Sequence, residues 1–219
     1  MATGEATTTD VYLEIGKRRV FASAADWPGW CCAGRDEKSA MEALAAAAPR
    51  YAAVPKAARI AFPSSSGDGF TVVERLLGDA ATEFGVPGQI AKGETRPLAP
   101  AETRRIVALL AASWTVLDRA VAKAPAALRK GPKGGGRDRD EIVEHVLGAE
   151  SAYVRKLGLR LQQPAAQDAA EVREFRDAMV AAIKGDTTPP FEAKWPVRYF
   201  ARRAAWHALD HAWEMEDKS

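Results

Sequence analysis

The sequence predicts a small α+β unit followed by an all-α, antiparallel four-helix bundle. Two observations indicate this division. Short β-prone runs separated by turn residues lie before residue 90, whereas the chain after residue 98 consists of long helical segments without strand signals. A stretch rich in proline and glycine, residues 86–100, separates the two regions. We therefore predict two domains, over residues 8–90 and 98–219.

The N-terminal unit is predicted to contain several short strands and a helix. The β-prone runs cover residues 11–15, 19–23, 30–33, 59–62 and 70–76. Asp36 is a suitable N-cap for a helix over residues 38–50, because the segment after it is rich in alanine, leucine and glutamate. Pro55 is expected to end that element.

The C-terminal region is predicted to contain four helices. They cover residues 101–128, 138–161 and 165–184, and a stretch from about residue 196 almost to the end of the chain. A glycine-rich basic loop, residues 130–137, separates the first helix from the second. Helices of roughly 20 residues with connections of a few to a dozen residues suit an antiparallel bundle.

Composition and charge exclude several classes of protein. The chain has 31 lysines and arginines against 29 acidic residues, which argues against a nucleic-acid partner. The best apolar run, residues 106–117, is too short to cross a membrane, which takes roughly 20 residues. The first ten residues have neither a basic start nor an apolar stretch, and adjacent Cys31 and Cys32 cannot form a disulfide framework. We expect a cytoplasmic protein without a membrane or nucleic-acid partner.

The three histidines of the chain all lie in the predicted bundle. His207 and His211 are four residues apart and therefore share one helix face, and His145 on another helix can complete a set of three ligands. Neutral imidazoles bind zinc, nickel, iron or copper, and three of them leave a coordination position open for water or substrate. We predict that they bind a metal. The alternative is that they are ordinary histidines, buried in the core or exposed to solvent.

Polar residues accompany these histidines. On a helical wheel, Arg203 and Glu214 lie within about 40° of His207, and Asp210 lies about 60° away. Glu141 lies beside His145 on the other helix. We predict that these four residues support the ligands or bind substrate, with Arg203 gripping a substrate carboxylate or orienting Glu214. Alternatively, Arg203 and Glu214 pair with each other or with Asp210, or form a solvated edge.

The histidine-bearing segments resemble the DinB/YfiT-like superfamily of four-helix bundles. The resemblance rests on Glu144-His145-Val-Leu-Gly-Ala-Glu150 and on residues 202–214, and it covers residues 98–219. It implies a three-histidine site for a divalent metal, with zinc or nickel favoured, held by His145, His207 and His211. Bundles of this kind often form homodimers. Characterised relatives include thiol S-transferases that use bacillithiol or mycothiol, and a mycothiol-dependent isomerase.

The N-terminal region is similar to the HicB-type antitoxin fold. The similarity rests on Asp26-Trp-Pro-Gly-Trp-Cys-Cys-Ala-Gly34 and on the acidic start of the helix that follows, over residues 10–54. It implies a small sheet with a helix and, in that family, an antitoxin role.

Two functions follow as hypotheses. The first is a metal-dependent enzyme acting on a small-molecule substrate, an S-transferase that joins a low-molecular-weight thiol of the mycothiol or bacillithiol type to small electrophiles. Its metal would lower the pKa of the thiol, or would activate water in a hydrolase. The alternative is a non-enzymatic, antitoxin-like or stress-response binding module with a structural or vestigial metal site.

Overall fold

A four-stranded sheet forms the N-terminal part of the protein, whose computed structural model describes residues 8–62, 69–131 and 135–219. The strands are β1 (Thr9–Ile15), β2 (Val20–Ala24), β3 (Cys31–Gly34) and β4 (Phe70–Leu77). Their order in the sheet is β3-β2-β1-β4, with β4 parallel to β1 and the other pairs antiparallel. The protein thus has a mixed α/β architecture. Residues 1–7, 63–68 and 132–134 lie outside the described residues, and the last of these ranges falls in the predicted basic loop.

Four of the predicted strands are confirmed, and the strand predicted over residues 59–62 is wrong. Arg59 has a left-handed backbone conformation, with φ of 56°. The Ile60 N–H donates to the Pro55 carbonyl at 2.9 Å. This segment therefore closes the end of a helix, and that geometry outweighs the β propensity of Ile60 and Phe62.

Short helices follow β3 and β4. They are α1 (Glu37–Ala46), α2 (Ala48–Tyr51), α3 (Ala53–Ala58) and α4 (Ala80–Phe84). Asp36 caps α1 as predicted, because its Oδ1 accepts the Ser39 N–H at 2.7 Å. Pro55 lies inside α3 rather than at the end of a helix. A proline is tolerated there because the first-turn N–H groups of a helix have no partner within it.

Four longer helices make up the rest of the chain: α5 (Pro100–Lys123), α6 (Arg139–Lys156), α7 (Ala169–Lys184) and α8 (Val197–Lys218). Helix α5 packs against α7 and α8, and α6 packs against α8. Helix α5 ends earlier than predicted because Ala124 precedes Pro125 and takes an extended conformation, with ψ of 141°. Helix α6 ends near Gly158, which has a φ of 81°.

The two parts of the chain share one hydrophobic core, which includes residues of the sheet and of α5 to α8. Gly29 has a φ of 90°, which favours glycine, and a Cβ there would lie 2.6 Å from the Leu209 side chain and 3.2 Å from the Ala205 backbone of α8. Helix α3 also packs against α5. The division into two domains at residues 86–100 therefore stays a prediction. The parts of the chain before and after this stretch pack closely against each other.

The connection over residues 86–99 is fixed to α8 by polar contacts. Its 3₁₀ turn (Lys92–Thr95) carries Glu94, whose carboxylate pairs with Arg202 at 2.6 Å. The Tyr199 hydroxyl donates to the Gly88 carbonyl at 2.8 Å. The sequence predicted a linker here, and the structure shows an ordered connection that anchors α8.

None of the described helices combines the length and the apolar character that crossing a membrane requires.

Candidate metal centre

Three histidines converge between α6 and α8. His145 lies on α6, and His207 and His211 lie one turn apart on α8. The Nε2 atoms of His145 and His207 are 3.2 Å apart, and one ring nitrogen from each of the three residues lies within 4.8 Å of the others. The structure thus brings together the three residues that the sequence predicted as ligands.

The two histidines lie on a largely buried stretch of α8. Four alanines are buried around them in the sequence: Ala204, Ala205, Ala208 and Ala212. Ala205 faces Gly29 of the N-terminal part, so this helix is covered on more than one side. His207 and His211 are each 7 % exposed, and His145 is half-buried.

The environment of His145 and His207 favours their neutral form. Burial, together with the adjacent His211 and His145, holds the pKa of His207 well below its ordinary value. Burial and the nearby Arg137 lower the pKa of His145 as well. A neutral imidazole has a free lone pair, so these residues are in the state that binds metal at neutral pH.

Glu214 determines which nitrogen of His211 faces the cluster. The Nδ1–H of His211 donates to Glu214 Oε2 at 2.7 Å, since a carboxylate can only accept there. Lys218 donates to the other oxygen at 2.5 Å. Burial raises the pKa of Glu214, but the hydrogen bonds from Lys218 and His211 outweigh it and the pKa is lowered. Glu214 therefore stays ionised, and His211 Nε2 is left for the cluster.

The separation of the His145 and His207 nitrogens fits a small divalent cation. Two nitrogens bound to one ion at about 2.05 Å in tetrahedral geometry lie about 3.3 Å apart, and the observed separation between His145 and His207 is 3.2 Å. The carboxylate hydrogen-bonded to the outer nitrogen of His211 is the arrangement that orients histidine ligands in metal sites. His145, His207 and His211 could hold zinc or nickel.

Arg203, predicted to support the site, lies next to the histidines. Its guanidinium carbon is 4.6 Å from the Trp206 ring centroid and 5.4 Å from the Tyr153 centroid. Both rings are 6.0 Å from the His207 ring. Among the described residues, Arg203 takes part in no ion pair and its Nη1 has no hydrogen-bond partner. Glu214 pairs with His211 and Lys218 instead, so the alternative of an Arg203–Glu214 pair is not realised.

The other two predicted supporting residues have different surroundings. Glu141 is exposed, and its carboxylate accepts the Asp138 N–H at 2.8 Å, which caps the start of α6. Asp210 is exposed and lines a surface groove with Cys32 and Trp213. Burial and the nearby Asp210 raise the pKa of Cys32 to about 12. These contacts involve Glu141 in helix capping and place Asp210 beside β3.

Sequence reasoning missed one aromatic neighbour, Tyr153, and one buried acid, Glu150. Tyr153 and Trp206 surround Arg203 and His207, and Tyr153 could have been found because it follows His145 by about two helical turns. Glu150 is fully buried, and its Oε1 accepts the Trp114 Nε1–H at 2.6 Å. Burial raises the pKa of Glu150 to about 7.

Comparisons with protein-family models, with curated proteins and with solved structures found no match for this chain. The functional interpretation therefore depends on the residues and their geometry.

Proposed function

We propose that this protein is a divalent-metal-dependent enzyme in which His145, His207 and His211 are the protein ligands. The observation that supports the proposal is the mutual distance of their ring nitrogens, all within 4.8 Å. Three protein ligands are typical of catalytic zinc sites, which keep one position for water or substrate, whereas structural sites usually have four.

The resemblance of residues 98–219 to the DinB/YfiT-like superfamily extends this proposal to the fold and the reaction. In this proposal α5 to α8 form an antiparallel four-helix bundle, and the N-terminal region is a HicB-like unit attached to it. The contacts of α8 with α5 and α6 support a bundle arrangement. The proposed reaction is the transfer of a low-molecular-weight thiol, of the mycothiol or bacillithiol type, to a small electrophile.

A bound divalent cation would supply a Lewis acid that lowers the pKa of a thiol. Residues of the chain would keep the ligands neutral and correctly oriented for this ion. Burial keeps His207 neutral and able to ligate, and Glu214 fixes the tautomer and orientation of His211. Tyr153 and Trp206 cover His207 with aromatic rings and limit its contact with water. In the reaction, the thiolate sulfur would bond to the electrophilic carbon, and a halide would leave with the bonding pair.

Metal analysis followed by an activity assay tests this proposal. The protein is purified without a histidine tag, its metal content is measured, and mycothiol, bacillithiol and glutathione are each offered with monobromobimane. We expect one metal per chain and thiol-specific turnover, both lost in His207→Ala. Glu216→Gln is the matched control, because Glu216 lies on the same helix and pairs with Arg50.

Other outcomes of the same experiment contradict parts of the proposal. Full metal content without turnover on any thiol would favour a binding module with a structural metal. Turnover of an ester or amide substrate, offered in a parallel assay without a thiol, would favour a hydrolase. A metal content near zero in protein reloaded with zinc or nickel would overturn the metal centre itself.

A further inference from the structure

Two adjacent arginines on α8 differ sharply in their hydrogen bonding. Arg202 is 3 % exposed, pairs with both oxygens of Glu94 at 2.6 and 3.2 Å, and donates to the Gln89 carbonyl at 2.8 Å. Arg203 is 7 % exposed, and among the described residues its buried Nη1 has no acceptor. The first arginine is a structural anchor, whereas the second is a buried cation that the described protein leaves unpaired.

An unpaired buried guanidinium is unfavourable for the fold. Removing a charge from water without a partner costs several kcal/mol, and a charged donor without an acceptor is among the more costly buried groups. Contact with the faces of Tyr153 and Trp206 offsets part of this cost through cation–π attraction. Aromatic faces accept no in-plane hydrogen bonds, so among the described residues the buried Nη1 of Arg203 is still without an acceptor.

The position of Arg203 relates it to the histidines. It precedes His207 by one helical turn, so both side chains lie on neighbouring parts of one face of α8. The two rings that contact Arg203 are also the two aromatic rings that lie 6.0 Å from His207. An anionic group bound to Arg203 would therefore belong to a molecule that reaches the histidine cluster.

We propose that Arg203 binds the carboxylate of a small-molecule substrate and holds that molecule beside the histidine cluster. This inference rests on the proposed function, because it assigns a chemical class to the substrate of the same site. A carboxylate suits this site because it is flat and accepts two parallel hydrogen bonds in the plane of a guanidinium, while the ring faces stay in contact with Tyr153 and Trp206.

Carboxylate binding by the purified protein tests the inference without an activity assay. Acetate, succinate, uncharged succinamide and inorganic phosphate are titrated into metal-free and zinc-loaded protein. Binding is followed by calorimetry and by tryptophan fluorescence, since Trp206 contacts Arg203. We expect saturable binding of succinate, none of succinamide, and weaker binding of phosphate.

Variants of Arg203 assign the binding to this side chain. Arg203→Met should weaken succinate binding about tenfold or more, the effect of losing a charge-assisted hydrogen bond. Arg203→Lys should weaken it less, and it serves as the test if the methionine variant does not fold. Arg155→Met is the matched control, because Arg155 is exposed on α6 and its replacement changes the net charge equally.

The metal content of each variant separates the two proposals. We expect Arg203→Met to retain the zinc stoichiometry of the unmodified protein. Equal succinate affinity in the protein and its Arg203 variants, a preference for phosphate, or no saturable binding would each overturn the carboxylate role. If the unmodified protein binds succinate but fails to bind zinc, the metal centre is overturned and the carboxylate site is kept.

Discussion

Glu214 accepts the Nδ1–H of His211 at 2.7 Å, one helical turn further along α8. The carboxylate thereby determines that Nε2 of His211 faces His145 and His207. Lys218 holds the other Glu214 oxygen, so the orientation of His211 depends on a short chain of charged groups on one helix. This relationship leads to the first prediction.

Replacing Glu214 by glutamine should weaken zinc binding about tenfold or more, with the stoichiometry unchanged, because outer carboxylates of this kind typically contribute 10- to 100-fold in affinity. Competition with a chromophoric chelator measures the effect. Glu216→Gln is the control, because Glu216 pairs with Arg50 instead. Equal affinities for the two variants would show that Glu214 does not support the site.

Metal binding should depend on pH in a defined direction. Burial and the neighbouring imidazoles lower the pKa of His207, so protons compete for this ligand only below its ordinary value near 6.5. We expect full occupancy at pH 7.5 and progressive release below about pH 6, measured by equilibrium dialysis and metal analysis. Recovery of metal after return to pH 7.5 would separate release from acid unfolding. Unchanged occupancy at pH 4.5 would contradict histidine ligation.

Glu150 should make the fold less stable as pH rises. Burial raises its pKa to about 7, whereas an unfolded glutamate titrates near 4.3, so the folded state binds the extra proton between these values. The stability that the protonated acid provides is present below about pH 4.3 and is lost as pH rises through about 7. The pH window for this loss is therefore about 4.3 to 7.

Urea unfolding of Glu150→Gln across this window tests the effect. Glutamine keeps an acceptor for Trp114 but does not ionise, so its free energy of unfolding should gain up to about 3 kcal/mol over the unmodified protein between pH 4.5 and 7.5. Glu174→Gln, which removes an exposed carboxyl on α7, should show no such gain. A constant difference for Glu150→Gln would mean that Glu150 ionises normally in the folded protein.

The buried pair of Arg202 and Glu94 should be important for stability. Arg202→Met leaves Glu94 buried without its partner and should cost about 3–5 kcal/mol of unfolding free energy. The double variant with Glu94→Gln should lose less than the sum of the single changes, because the two side chains interact. Arg75→Met, in an exposed pair with Glu37, should cost about 1 kcal/mol or less. A small loss for Arg202→Met would show that the pair is not an anchor.

The elements predicted well from sequence are those with local signals. Asp36 caps α1 and Gly185 ends α7 because each relies on chemistry within one turn of chain. Two predictions were wrong because residue propensities do not determine where a helix begins or ends. Pro55 is accepted in the first turn of α3, and Arg59 ends that helix in a left-handed conformation. The end of α5 was predictable, since Pro125 forces Ala124 into an extended conformation.

The candidate site shows the same contrast between local and distant signals. Spacing predicted the pairing of His207 with His211, and helical geometry placed Glu214 beside them. The helical wheel placed Glu141 near His145. It could not show that the Glu141 carboxylate instead accepts the Asp138 N–H, because that contact depends on where α6 begins. Likewise, only the structure shows that Arg203 Nη1 has no hydrogen-bond partner among the described residues, because the nearby Glu214 pairs with His211 instead.

Helix α8 contacts the N-terminal part of the chain through Leu209, is anchored to the connection through Arg202, and carries His207 and His211. Because two of the three proposed ligands lie on this helix, a displacement of α8 at the sheet would also displace those ligands. A larger residue at position 29 would press on Leu209, which lies between His207 and His211 in the chain, and should therefore change metal loading.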